Sequence, residues 1–244
     1  MARRRFFVDE VREGRARLTG ESADHLRRVL RARAGERFEL SDNRNVYLAE
    51  IEGFRRGEVL FRILEALPAE RPPLQLVLQA ALIKFDRFEW LIEKATELGV
   101  EQILPVIAAR SEKGLEVAAV KRLERWRRIA REASQQARRA RLPEIGRPLA
   151  FRQALAGQFS WRAVLDELRT GAPLLAALPP ATERRAQDRV ALLVGPEGGW
   201  TEEEREAARA AGWRAVTLAT SVLRAETAAI AAVAIVMNAW MPES

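Results

Sequence analysis

One stretch, Arg189 to Trp240, constrains the fold of this chain more than any other. It begins with a short apolar run, Arg189–Val194, that predicts a buried strand. The next five residues, Gly195-Pro196-Glu197-Gly198-Gly199, are a sequence that no helix or strand interior tolerates. The stretch therefore predicts a strand that ends in a glycine-rich loop.

The remainder of this stretch predicts a second strand and loop. Thr201 is followed three positions later by Glu204, a capping box that opens an acidic helix. Trp213–Leu218 then predicts a strand, Ala219–Arg224 a loop, and Ala225–Trp240 an apolar helix. We expect the two loops to leave the carboxyl ends of two neighbouring strands, the edge at which α/β sheets bind ligands.

Neither loop alone defines a function. The glycine loop is not GxGxxG, and the absence of Gly-Lys-Ser/Thr excludes a P-loop NTPase, so a tight strand-to-helix turn is one interpretation. The second loop places Arg224, Glu226 and Thr227 at the mouth of an apolar helix, where polar groups must be exposed, paired or functional. A simple salt bridge between Arg224 and Glu226 is the alternative to a functional role.

Together the two motifs resemble a known family. GPEGG before a capped acidic helix, followed further on by Leu-Arg-Ala-Glu-Thr-Ala at 223–228, is similar to the ribosomal RNA small subunit methyltransferase E family of the SPOUT superfamily. The resemblance continues through Arg5–Val8 and Glu93–Val100. Phe85 and Ala219 stand where that family has glycines, which leaves the shape of both loops open.

The resemblance implies both a fold and an activity. It implies an α/β fold: a SPOUT methyltransferase domain with a C-terminal trefoil knot over residues 73–244, preceded by a small β-rich, PUA-like RNA-binding barrel over residues 1–70. It implies S-adenosylmethionine as cofactor, methylation of uracil N3 in 16S rRNA, conventionally at U1498, and a homodimer. Two alternatives stay open: another SPOUT enzyme that acts on transfer RNA or on a different rRNA base, and a non-catalytic RNA-binding assembly factor.

The residues expected to carry this chemistry lie in the two loops and beside them. Arg224 is expected to stabilise the developing uracil anion or to orient the base, since a charge-assisted hydrogen bond suits both tasks. Glu197 is expected either to accept a proton or to shape the loop. The residues expected to bind the cofactor are Glu167, Gly195, Pro196, Gly198, Leu218, Leu223, Arg224, Ala225 and Thr227.

Composition limits the chemistry further. The chain has no cysteine and one histidine, which argues against disulfides, thiolate chemistry, a histidine-based metal site and a Ser-His-Asp triad. The longest apolar run, Ala228–Met241, contains Asn238 and falls short of the ~20 residues that span a bilayer. No signal peptide is visible, so we expect a cytoplasmic protein without a membrane or metal partner.

The positive charge is concentrated in one segment. Residues 110–152 hold 13 basic and 5 acidic side chains, whereas the whole chain has a net charge of +7. Such a concentration favours a polyanionic partner, although a solvated basic face is the alternative. Most of these charges lie on a helix predicted over Val117–Ala140. The residues expected to bind RNA are Arg5, Arg125, Arg128 and Arg139.

The remaining elements predict two domains. Residues 1–67 read as a β-rich unit with one helix, Ser22–Arg31, capped by Ser22. Three prolines between residues 68 and 73 indicate a linker. Beyond it, strand Leu74–Leu82, helix Lys84–Leu98 and strand Gln102–Ala108 predict a parallel sheet covered by helices. A later strand, Arg162–Asp166, would place Glu167 at its carboxyl end.

Overall fold

The computed structural model describes residues 4–69, 72–168 and 171–242. The chain divides into two compact units, one formed by Met1–Arg71 with Arg131–Leu142, the other by Pro72–Ala130 with Pro143–Ser244. The expected linker at 68–73 therefore coincides with the first crossing between the units. The return of Arg131–Leu142 to the first unit has no counterpart in the predicted domain division.

The first unit is a six-stranded sheet with one short helical segment. Its strands follow the order β1-β4-β5-β6-β3-β2, and neighbours are antiparallel except for the parallel pair β1 and β4. The elements are β1 Arg5–Phe7, β2 Val11–Arg12, β3 Arg15–Leu18, α1 Gly20–Asp24 continued by a π-helical turn His25–Val29, β4 Arg37–Ser41, β5 Val46–Arg55 and β6 Glu58–Leu67. The helix begins after Thr19, in extended conformation, and Ser22 lies inside it, so the prediction that Ser22 is the cap was wrong.

An aromatic core holds this sheet together. Phe38 packs edge-on against Phe6 and Phe61, with ring centroids 5.8 and 6.4 Å apart. The segment Arg131–Leu142 is joined to the same unit by hydrogen bonds. The Ser41 hydroxyl donates to the Ala140 carbonyl at 2.6 Å, and the Asn43 side-chain oxygen accepts from the Leu142 amide at 2.7 Å.

The second unit is built on a parallel sheet. Its strands follow the order β10-β8-β7-β13-β11-β14-β12, with β9 paired to β8, and every pair is parallel. Its strands are β7 Gln75–Ala81, β8 Gln102–Ile107, β9 Glu144–Ile145, β10 Leu149–Ala150, β11 Trp161–Leu165, β12 Ala172–Pro173, β13 Arg189–Val194 and β14 Arg214–Thr217. Its helices are α2 Phe85–Glu97, α3 Leu115–Gln136, α4 Phe151–Ala154, α5 Leu174–Ala177, α6 Glu202–Ala210 and α7 Ala225–Ala239, with a 3-10 turn at Ala181–Glu183; the last residues of α3, from Arg131 on, belong to the first unit. The predicted β-α-β pattern is thus confirmed.

Helices cover both faces of this sheet, because its central strands are apolar on both sides. Leu76, Leu192 and their neighbours on one face pack against helices α2, α3 and α7. Val77, Ala191 and Leu193 on the other face pack with Trp200 and Ala208 from the region of α6. No helix in the described ranges is both long and apolar enough to cross a membrane.

Candidate functional site

Three strands of the second unit send loops to one edge of the sheet. The glycine loop follows β13, and the loop Ala219–Arg224 follows β14, as predicted. The two strands are not neighbours, however: β11 lies between them and pairs with both. The expectation of adjoining strand ends was therefore wrong, since strand order depends on long-range pairing that no local pattern records. The residues after β11 form a third wall.

A cavity of about 180 Å³ opens at this edge. Its walls come from all three loops and from the first turn of α7. The predicted cofactor residues that line it are Glu167, Gly195, Pro196, Gly198, Leu218, Leu223 and Ala225. Seven of the nine predicted cofactor residues, which span some sixty positions of the sequence, therefore lie around one cavity.

Close packing explains two of the loop's glycines. Gly199 has φ +69°, and a Cβ there would lie 2.0 Å from the Glu167 Oε1 atom. A Cβ on Gly195 would lie 3.0 Å from the ring of buried Trp200, whose Nε1 donates to the Leu165 carbonyl at 2.9 Å. The loop thus exposes backbone where any other residue would place a side chain. Gly199 was not among the predicted site residues.

The predicted capping box of α6 is present and reaches further than expected. Thr201 Oγ1 accepts from the Glu204 amide at 3.2 Å, while Glu204 Oε2 accepts from the Thr201 amide at 3.0 Å. The second oxygen of Glu204 accepts from the Ala109 amide at 2.8 Å. One buried carboxylate therefore fixes the end of the glycine loop to the residues after β8. Arg110 adds a second tie, donating to the Gly198 carbonyl at 2.7 Å.

The third wall is acidic. Asp166 and Glu167 follow β11, and both pair with Arg205 of α6, Asp166 at 3.2 Å and Glu167 at 2.5 Å. Burial lowers the pKa of Arg205, but the hydrogen bond to Asp166 and the surrounding carboxylates outweigh it and raise the pKa above its ordinary value. The arginine stays charged and fixes the orientation of both carboxylates. Asp166 lines the cavity but was missed, because a single aspartate after a strand carries no specific sequence signal.

The second loop keeps two predicted residues away from the cavity lining. Arg224 occupies the N-cap position of α7 and is exposed, and Thr227 is also exposed. Neither belongs to the described residues that line the cavity. Ala219 does line it, and is not among the described non-glycine residues with positive φ, so the alanine fits this loop without backbone strain.

Glu197 and Glu226 share a cation that the sequence did not reveal. Arg87, in the first turn of α2, lies 3.2 Å from Glu197 Oε1 and 3.9 Å from Glu226 Oε1. Glu226 is buried, and its Oε2 atom has no hydrogen-bond partner within the described part of the chain. The alternative interpretation, a salt bridge between Arg224 and Glu226, is not found among the described ion pairs. Arg87 lies 110 positions from Glu197, so no local signal links them.

Two of the predicted RNA-binding arginines lie on α3 within the second unit. Arg125 and Arg128 are both exposed. The Arg125 guanidinium forms a fork with Glu89, with N···O distances of 2.7 and 2.8 Å, and Arg122 donates to the same carboxylate. The hydrogen bond from Arg125 holds the pKa of Glu89 below its ordinary value despite the opposing effect of burial. Part of the positive charge of α3 is therefore neutralised within the protein.

The other two predicted RNA-binding arginines lie in the first unit. Arg5 has a side-chain exposure of 11% and donates twice to buried Glu39, at 2.8 and 3.1 Å. Arg138 pairs with the other oxygen of the same carboxylate. Arg139 is half-buried, with its amide bonded to the Ser134 carbonyl. The structure therefore gives Arg5 an internal partner instead of a free surface position.

The fold and the site together define a class of protein. The sequence from residue 70 to 237 matches the family model described as an RNA methyltransferase domain. Residues 18–64 match the RNA methyltransferase PUA domain. The chain thus combines an α/β methyltransferase domain with a PUA-like domain, as the sequence predicted.

Comparison with individual proteins identifies the family. The chain is 34% identical over 231 residues to the ribosomal RNA small subunit methyltransferase E of Synechocystis, covering 93% of this chain and 74% of the relative. It is 35% identical over 250 residues to that of Mycobacterium tuberculosis, covering 96% and 92%. The chain belongs to the ribosomal RNA small subunit methyltransferase E family.

Solved structures agree with this assignment. A ribosomal RNA small subunit methyltransferase E from Neisseria gonorrhoeae, bound to S-adenosylmethionine, superposes with a TM-score of 0.84 at 31% identity, covering 97% of this chain and 98% of the other. A putative methyltransferase from Legionella pneumophila, in complex with the same cofactor, has a TM-score of 0.85 at 28% identity, with 98% of each chain covered.

Proposed function

We propose that this protein uses S-adenosylmethionine to methylate uracil N3 of one uridine, conventionally U1498, in the 16S rRNA of the small ribosomal subunit. The observation that carries the proposal is the three-walled cavity at the carboxyl edge of the sheet. It combines open backbone, apolar side chains and carboxylates within a domain whose family is named for methylation of this RNA.

The residues around the cavity fit the proposed cofactor. Leu218 and Leu223 offer apolar surface for an adenine ring, and the backbone of the glycine loop offers hydrogen bonds to its edge. Glu167, fixed by Arg205, can accept hydrogen bonds from ribose hydroxyls. A Cβ at Gly199 would collide with Glu167 Oε1, so the glycine lets the loop and this carboxylate lie side by side in the wall of the cavity. When bound, the cofactor supplies a methyl group carried by a positively charged sulfonium.

Arg224 is the residue proposed to act on the base. Uracil N3 is a weak nucleophile while protonated, so a cation that favours the deprotonated form aids the reaction. Arg224 stands exposed at the N-terminus of α7, next to cavity-lining Leu223 and Ala225, and its guanidinium can donate charge-assisted hydrogen bonds to uracil oxygens. Orientation of the reacting groups can add about 7–11 kcal/mol to the rate enhancement.

Glu197 is proposed to shape the loop. One of its carboxylate oxygens is engaged by Arg87, which favours a structural task over the alternative of accepting a proton from the base. Its position on the cavity lining means that its orientation affects the shape of the cofactor site.

RNA binding is proposed to involve the PUA-like unit and the basic residues of α3. Of the predicted arginines, Arg125 and Arg128 are exposed on α3, with Arg125 also bonded to Glu89, and Arg139 is half-buried. Arg5 contributes by holding Glu39. The target uridine must be single-stranded or turned out of its stack to reach the cavity.

We also propose a homodimer that acts in the cytoplasm, and the trefoil knot stays a prediction. Helix α7 is apolar throughout most of its length, and Ile230, Ala234 and Ile235 remain partly exposed on it. Light scattering should give twice the chain mass of 27.5 kDa. A monomeric mass at micromolar concentration would contradict the dimer.

Two measurements test the function. Calorimetry of the purified protein should detect binding of S-adenosylmethionine, which a non-catalytic assembly factor would not show. Mass mapping of rRNA from a deletion strain should reveal loss of one N3-methyluridine, restored by the intact gene. Loss of a different modified base, or of a modification in transfer RNA, would reject the proposed target and leave cofactor binding intact.

A further inference from the structure

We propose that Arg87 is a positioning residue that sets the distance between two walls of the cofactor site. This inference rests on the proposed function, because it concerns the same cavity. Arg87 comes from α2, which contributes no residue to the cavity lining in the described structure. It contacts the glycine loop through Glu197 at 3.2 Å and the first turn of α7 through Glu226 at 3.9 Å.

The strand order explains why such a tie is needed. The glycine loop leaves β13 and the other wall leaves β14, and β11 separates these strands. No hydrogen-bond ladder therefore joins the two walls directly. Arg87 lies in the helix that directly follows β7, and every residue of β13 pairs with β7. The helix that carries Arg87 therefore begins beside the central strands, and the arginine side chain contacts both walls of the cavity from there.

The two carboxylates play unequal parts in this arrangement. The Glu226 side chain is 8% exposed, with one oxygen facing Arg87 and the other unpartnered in the described residues. A buried carboxylate strongly favours a nearby cation, so Glu226 holds Arg87 in place. The Glu197 side chain is 41% exposed and lines the cavity. The ion pair with buried Glu226 thereby fixes the Arg87 guanidinium, and the ion pair with exposed Glu197 fixes the glycine loop.

Loss of this tie should weaken cofactor binding. Without it the glycine loop samples more conformations, and binding must then order the loop in addition to the ligand. We expect Arg87→Gln to raise the dissociation constant for S-adenosylmethionine by about tenfold, the size of coupling seen between residues in direct contact. Arg87→Lys retains the charge and should lose less.

A matched control exists on the same helix. Lys94 also pairs with two carboxylates, Glu93 at 2.7 Å and Glu97 at 2.9 Å, and its side chain is 31% exposed against 32% for Arg87. Lys94→Gln should leave the dissociation constant unchanged. Calorimetry on the full-length protein, with thermal unfolding midpoints for each variant, measures both effects.

The double variant Arg87→Gln/Glu226→Gln separates positioning from charge neutralisation. Removing the buried charge should restore the unfolding midpoint, but cofactor affinity should stay low because Glu197 still lacks its partner. The inference is overturned if Arg87→Gln binds the cofactor within about twofold of the parent, or if the double variant recovers affinity together with the midpoint. A parent protein that binds no cofactor would reject the proposed function itself, which is a separate outcome.

Discussion

Substitution of Gly199 by alanine tests whether the glycine loop is shaped by its contact with the acidic wall. Two costs are expected from the structure. The first is conformational, since φ is +69° and a left-handed alanine costs about 1–2 kcal/mol. The second is a collision, because the new Cβ would lie 2.0 Å from Glu167 Oε1. Glu167 must then move away from Arg205, which forfeits an ion pair worth about 0.5–1 kcal/mol at this partly exposed position.

Gly114 provides the control for the conformational cost. It lies in the same unit, has φ +86°, and has nothing within 4 Å of the point that a Cβ would occupy. Gly114→Ala should therefore lose only about 1–2 kcal/mol of unfolding free energy, while Gly199→Ala should lose about 1.5–3 kcal/mol. Urea denaturation measures the difference between the two.

Cofactor affinity gives the second readout for Gly199. Displacing Glu167 removes a wall of the cavity, so Gly199→Ala should weaken S-adenosylmethionine binding by about tenfold, or about 1.4 kcal/mol, while Gly114→Ala should not. Equal stability losses in the two variants, combined with unaltered affinity in Gly199→Ala, would refute the idea that this contact shapes the site.

Three further predictions concern the arginines. Arg224→Ala should lower kcat by about 10²–10³ with little change in cofactor affinity, because the side chain lies outside the cavity lining; single-turnover methylation with an unimpaired rate would remove it from the mechanism. Charge reversal at Arg125 and Arg128 should reduce the log–log salt slope of RNA binding by about 0.7 per lost phosphate contact, and an unchanged slope places the footprint elsewhere. Pairing with arginine lowers the pKa of Glu89 in the folded protein, so this pairing stabilises the protein above pH 4.5, and the stabilisation is lost as the pH falls through the folded-state pKa. Arg125→Gln should therefore destabilise the protein at neutral pH and by less below pH 4.5. A difference in urea midpoints that does not change with pH would contradict this.

Local patterns predicted the elements of this protein well. The strand Arg189–Val194 has the bounds that its apolar run indicated, and the Thr201–Glu204 capping box forms as expected. Both features depend on side chains within a few positions of one another, so the sequence contains the whole cause. The helix predicted over Val117–Ala140 also forms, with the bounds Leu115–Gln136.

Long-range placement could not be predicted in the same way. The insertion of β11 between β13 and β14 follows from sheet pairing across the chain, and Arg87 reaches Glu197 from 110 positions away. Arg5 is among the residues expected to bind RNA, and in the structure it is paired with Glu39, a carboxylate whose burial no local pattern reveals. Charge alone cannot distinguish an arginine that binds a ligand from one that binds its own protein.

The return of Arg131–Leu142 to the first unit affects how the N-terminal module can be exchanged between related proteins. A fragment ending at residue 71 would lose the partners of Ser41 and Asn43, together with the second arginine on Glu39. A transplant of the N-terminal module between related proteins through one junction would therefore lose these contacts. A working chimera must carry both stretches from the same parent, so recombination that separates them should yield chains that fold poorly.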